Sequence, residues 1–189
     1  MEKHSPTSLK AQFLIAMPGL REPNFNRTLT CLCEHNPEGA LGIVINRVHP
    51  SARAGEIFGQ LKMEALPEVM ELPIHIGGPV HFDEIFILHG PPFGWKGCFQ
   101  ITPDLALSNT KDILEAVARG KGPERIIIAI GAAGWGPGQL ESEIVQNAWL
   151  TGPVFNDVIF DVPVEERWDE AVKKMGIDPN FLTDTSGHA

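Results

Sequence analysis

No apolar run in the sequence approaches the roughly 18 residues that a membrane-crossing helix needs. The opening residues, "MEKHSPTSLK", lack the apolar segment of a secretory signal. Three cysteines, an odd number without framework spacing, exclude a disulfide scaffold and point to a reducing compartment. No Lys/Arg cluster exceeds a pair, and a net charge of −9 works against contact with nucleic-acid phosphates. Internal repeats, low-complexity tracts and linkers are missing too. These absences indicate a cytoplasmic protein of 189 residues folded as one domain (1–189), with a loose start at 1–10 and a frayed end at 183–189. A chain of this length buries enough apolar surface to fold without a metal or a disulfide.

What is present is a front half rich in strands and a back half that alternates. "QFLIAMP" (12–18) reads as a buried strand, and "RTLTCLCEH" (27–35) and "ALGIVIN" (40–46) as strands joined by a hairpin at "NPEG". A short helix is expected over 54–62. Strands follow at 73–80 and 84–90, with a Gly77-Gly78-Pro79 turn, and at 98–102. A helix capped by Ser108 or Asn109 runs to Gly120, and "RIIIAI" (125–130) reads as a core strand. A helix is expected over 139–150, a strand over 158–162 and a last helix over 165–176. This order suggests an α+β protein with a largely antiparallel sheet.

The stretch "GAAGWGPGQLESEI" (131–144) stands between a strand and a helix, where nucleotide loops occur. The P-loop needs Gly-Lys-Ser/Thr, but Gly138 is followed by Gln139 and Leu140. The dinucleotide pattern fails as well, because Gly138 comes one position early. Glu141 and Glu143 fall in the first helical turns, where they complement the helix dipole and repel a phosphate. The stretch reads better as a stiff corner: Gly136 caps, Pro137 suits the first helical position and Gln139 reaches back. A nucleotide or small metabolite at Gly134–Gln139 is the lesser reading. Asn147, seven residues after Leu140, falls on the apolar helix face, where it must bond internally or look into a pocket.

Cys31 and Cys33 share a strand face, and with only Cys98 besides them they make no metal set, so they read as buried thiols. Cys33, Glu34, His35 and Asn36 bring a thiol, an acid, an imidazole and an amide to a strand end, a composition open to hydrolytic or redox chemistry. Turn chemistry at Asn36-Pro37 and Glu38-Gly39 explains the same residues without function. His75, His81 and His89 define no metal site. Arg47, after Asn46, offers a fork for a carboxylate or phosphate, or a partner for Glu34 across the hairpin. Gly78 and Pro79 offer backbone groups that a ligand could use.

Three motifs in order, "FLIAMPGLREPNFNRTLTCLCEHNPEGALGIVINR" (13–47), "GGPV" (77–80) and "GWGPGQLESEI…NAW" (134–149), resemble the YqgE/AlgH family from about Leu9 to Lys174. Departures stand at Cys31 and Ala132, where the family has aromatic residues, at Val48, where it has proline, and at Glu22, where it has aspartate. The first two remove ring area that could line a cleft. The resemblance implies a bacterial cytosolic protein whose sheet bends into a barrel-like core with helices packed outside. It brings no established reaction and no cofactor. The family's label, transcriptional regulator, rests on genetic association, and the sequence shows no helix-turn-helix signature. The leading expectation is a non-catalytic binding or regulatory protein, with an unnamed small molecule or protein as partner, no membrane and no direct DNA contact. Its cleft would be lined by Glu34, His35, Asn36, Asn46, Arg47, Gly78, Pro79, Trp135, Gln139, Glu141 and Asn147.

Overall fold

The computed structural model describes residues 8–182. Positions 1–7 of the expected loose start and all of the expected tail lie outside the described residues. The front half holds β1 (Gln12–Ala16), β2 (Leu29–Asn36), β3 (Gly39–Val44), β4 (Val48–Arg53), α1 (Ala54–Gln60), α2 (Pro67–Met70) and β5 (Pro73–Ile76). After it come β6 (Val80–His89), β7 (Phe99–Thr102), β8 (Leu105–Ser108), α3 (Lys111–Ala118) and β9 (Ile126–Trp135). The chain ends in α4 (Gln139–Val145), β10 (Trp149–Pro153), α5 (Asn156–Phe160) and α6 (Arg167–Lys174).

The fold is α+β, with strands in the order β10-β1-β2-β3-β9-β6-β8-β7, β5 beside β9 and β4 beside β5. Every pairing is antiparallel except β5 with β9. The strands of one half, β1 to β3, share a core with β6 to β9 of the other, so the sheet curls. It does not close: the path ends at β10 and β7. The barrel-like core implied by the resemblance is therefore corrected to an open, curled sheet.

Alternation along β9 explains the layers. Ile127 and Ala129 point into the central core, whose far side is plugged by Val158 and Ile159 of α5 and Trp168, Ala171 and Val172 of α6. Ile126, Ile128 and Ile130 point the other way, under α1 and α3. A strict period of two would then send position 131 into the central core. Instead Ala132 goes there, while Ala133 and Trp135 enter a third cluster under α4. One inserted residue, Gly131 at φ +74°, shifts the parity, as a β-bulge does.

The insertion coincides with a crossing. β5 lies along one side of β9 and β6 along the other, yet only Gly77, Gly78 and Pro79 separate them. The link must pass over β9. Gly77 donates to Ile130 O at 2.8 Å, and a Cβ on Gly78 would sit 2.2 Å from the Ala132 carbonyl. A Cβ on Gly131 would sit 2.5 Å from Gly78 O. Only backbone without side chains fits at this depth. The family motif at 77–80 is thus a strand crossing and not a simple turn.

Four expectations are corrected. The strand at 125–130 continues through Gly131–Trp135, leaving Gly136–Gly138 as the corner. The helix from 139 stops at Val145, and Asn147 at φ +58° reverses the chain into β10. Residues 158–162 are not a strand: Phe155, Val158, Ile159 and Val162 recur at helical spacing, and α5 buries them in the central core. Thr110, not Ser108 or Asn109, is the N-cap of α3. β4, α2, β8 and β10 answer to no expectation drawn from the sequence.

The crossing makes a paired test. Gly78→Ala forces a side chain into the β9 backbone and should cost ~3 kcal/mol or more in urea unfolding. Gly59→Ala, in α1, meets nothing within 4 Å and should stabilise by roughly 0.5–1 kcal/mol. Equal unfolding curves for Gly78→Ala and the parent chain would contradict the crossing.

Candidate functional site

The corner between β9 and α4 gathers five polar or aromatic side chains. Gly138 (φ +72°) precedes the helix, and Gln139 reaches back to accept from Gly136 N at 3.0 Å, as its spacing predicts. Pro137 lies in the corner itself, before the first helical residue. The other end of the Gln139 amide donates to Glu143 Oε1 at 2.9 Å. Glu143 Oε2 accepts from both the Trp135 and Trp149 indoles, at 2.9 and 2.8 Å. One carboxylate thus satisfies three N–H groups. Phe25 stacks on Trp135 (5.9 Å between centroids) and meets Trp149 edge-on at 5.4 Å.

His35 approaches the same helix from β2. Its Nδ1 accepts from Leu9 N at 2.9 Å, and its Nε2 lies 2.8 Å from Glu141 Oε1. The first bond fixes the tautomer, so Nε2 carries the hydrogen and donates to the carboxylate. Glu141 is held below the ordinary carboxylate range by its own backbone N–H first and by His35 after it. Both ring nitrogens are occupied, which leaves no free base at His35. Cys33 offers no free nucleophile either: its side chain is fully buried and donates to Cys31 O at 3.4 Å. The neighbouring Cys31 first, and burial second, push its thiol well above the ordinary value. A thiol in that state is inert.

The remaining candidates sit in four other places. Asn46 bridges the start of β2 and its approach, accepting from Leu29 N (2.7 Å) and donating to Arg27 O (3.0 Å). Arg47 does not pair with Glu34. Its guanidinium donates to the carbonyls of Pro23, Asn24 and Asn26 at 3.0, 2.8 and 2.9 Å, pinning the segment that carries Phe25. Gly78 and Pro79 belong to the crossing. Asn147 is exposed and does not lie on the apolar helix face. At the hairpin tip, Glu34 accepts from Asn36 Nδ2 (2.9 Å), and Asn36 accepts from Glu38 N (2.8 Å). There Glu34, Asn36, Leu41 and Trp135 line a depression of about 210 Å³. Glu34 and Leu41 also border a slot of about 200 Å³, between Cys33 and Phe99. Cys31 and Ala132, two of the four positions at which the resemblance implies a departure, are fully buried in the central core and face neither depression.

The profile of the family described as AlgH-like matches residues 13–180. The chain belongs to the AlgH-like family. A UPF0301 protein of Desulforapulum autotrophicum is 50% identical over 189 residues, covering 100% of both chains. A UPF0301 protein of Pseudomonas aeruginosa is 45% identical over 192 residues, again covering 100% of both. Among solved structures, the solution structure of AlgH from Pseudomonas aeruginosa superposes with a TM-score of 0.80 at 44% identity, over 100% of each chain. A protein of Corynebacterium diphtheriae shares the fold at TM-score 0.67 and 17% identity, with 92% and 90% covered. None of these names carries a reaction or a ligand.

A further polar pair in this AlgH-like fold escaped the sequence reading. Arg167, at the start of α6, is 6% exposed and lies 3.2 Å from His75 Nε2 on β5. Its guanidinium also donates to the carbonyls of Ile45 and Val162. Burial pulls Arg167 down to about 10. Burial first, and the Arg167 charge second, lower His75 to about 4. His89, bonded to Gly90 O and Ser108 Oγ, is lowered in the same direction, again by burial. Among the described residues no His, Cys, Asp or Glu group could hold a metal ion, and no helix is long and apolar enough to cross a membrane.

Two measurements follow from these contacts. Glu143→Ala leaves two buried indole N–H groups unpaired and should destabilise by about 2–4 kcal/mol in urea, with a changed tryptophan emission. A cost below about 0.5 kcal/mol would remove the carboxylate from the centre of the corner. The folded chain keeps His75 neutral to about pH 4, whereas the unfolded chain protonates near 6.5. The stability tied to this group is therefore complete above pH 6.5 and falls as pH drops toward about 4. The loss is on the order of 3 kcal/mol. His75→Gln should flatten much of that limb in unfolding curves taken across pH.

Proposed function

We propose that the protein is a non-catalytic binding protein of regulatory role, working as a single domain in the cytoplasm. It receives a small molecule on the face formed by the tip of the β2–β3 hairpin. The observation that carries this reading is the commitment of every candidate reactive group. His35 is bonded at both nitrogens, the Cys33 thiol is buried and Arg47 serves three carbonyls. Glu34 and Leu41, by contrast, border both depressions at the hairpin, so one ligand can span the two. His35 and Glu141, 2.8 Å apart, tie β2 of that hairpin to α4. The cytoplasmic placing is supported by three free cysteines, the separation from DNA by the net charge of −9.

A thermal-shift screen with pooled metabolites and cell extract tests the reading. A ligand at 100 times its Kd adds about 2.7 kcal/mol, or roughly 5–10 °C in Tm for a chain of this size. Glu34→Ala with Leu41→Ser should abolish the shift, read against the variant's own lowered Tm because Leu41 packs on the central core. No stabilising component, or a shift that survives both substitutions, would count against a ligand at the hairpin.

A further inference from the structure

A larger concavity, about 610 Å³, lies elsewhere, between α3 and residues 61–66 that follow α1. It shares no lining residue with the hairpin depressions. Its volume falls within the range of small-molecule sites. Leu61 and Leu66, 42% and 41% exposed, give it an apolar floor continued by Met63 and Ala118. The walls are fixed by backbone: Leu66 N donates to Ala118 O at 2.9 Å and Met63 N to Phe58 O at 2.8 Å.

The charges of the lining decide the ligand class. Lys111 pairs with Glu115 at 3.4 Å, whereas Lys62 and Arg119 have no side-chain hydrogen bond or ion pair among the described residues. Glu64 is the one acid left against them in the lining. The C-terminal end of α3 would ordinarily repel an anion through bare carbonyls. Here the carbonyls of Glu115, Ala116, Val117 and Ala118 accept from Arg119, Lys121, Gly120 and Leu66, so that end is muted. Lys62 is held at φ +54°, an uncommon backbone for a side chain of this size, on the rim beside Leu61.

We propose that this groove binds an amphipathic anion: a carboxylate or phosphate monoester whose apolar tail lies over Leu61 and Leu66 and whose head meets Lys62 and Arg119. Amide shifts in two-dimensional NMR of the full chain test it, with decanoate as probe, acetate as the tail-less control and decyltrimethylammonium as the charge-reversed control. Decanoate should shift residues 61–66 and 111–119 saturably, and neither control should. Lys62→Glu with Arg119→Glu, both exposed, should weaken decanoate about tenfold or more without loss of spectral dispersion. Absence of shifts in these segments, an equal response to decyltrimethylammonium, or unchanged affinity in the double variant would overturn the proposal.

Discussion

The fold depends on one contact between two stretches of bare backbone, where Gly77–Pro79 passes over β9 at Gly131 and Ala132. β5 and β6 both need β9 as neighbour, on opposite sides, and three residues are all the chain allows to get across. No side chain fits between the two layers, so the glycines of "GGPV" and the first glycine of "GAAGWGPG" answer each other. The crossing also fixes the bulge that turns β9 from one face to another. From that shift follow the central core, the cluster under α1 and α3, and the cluster under α4.

The α4 corner is the downstream consequence. Once β9 is re-phased, Trp135 points under α4, where Trp149 meets it from β10. Two indoles then share one buried neighbourhood, and both N–H groups need an acceptor. Glu143 supplies it, and Gln139 locks the carboxylate's other oxygen. Phe25 closes the cluster from a segment whose carbonyls Arg47 ties down. Polar residues that look available in the sequence are therefore joints between backbone segments. Buried polar groups are stable only when satisfied, so a molecule that folds through so many of them leaves few for a ligand.

How much of this was legible in the sequence depended on distance along the chain. The hairpin at Asn36–Gly39, the α3 helix and the reach of Gln139 back to Gly136 are local events, and their residues announce them. α5 was also written locally, at positions 155, 158, 159 and 162, but its β-branched residues read as a strand. The crossing was not legible, because Gly-Gly-Pro has the same composition whether it turns or crosses. In the sequence Glu143 is only a charge near a helix start, since its indole partners lie eight positions before it and six after it in different strands. Arg167 and His75, 92 positions apart, carry no signal in either neighbourhood.

The same logic says where binding is physically open. A ligand competes poorly for a donor that already holds a carbonyl or carboxylate oxygen at 2.8–3.0 Å, because that bond must be broken first. Asn46, Arg47, Trp135 and His35 are all in that position. Open capacity survives where the scaffold ends. At the hairpin, exposed Glu34 stands beside a slot bordered by Leu41, Phe86 and Phe99. Along α3 the helix end is capped by backbone alone, which frees Lys62 and Arg119 to face a groove floored by leucines. The binding proposed at the hairpin and along α3 therefore draws on side chains that the crossing and the corner do not tie up.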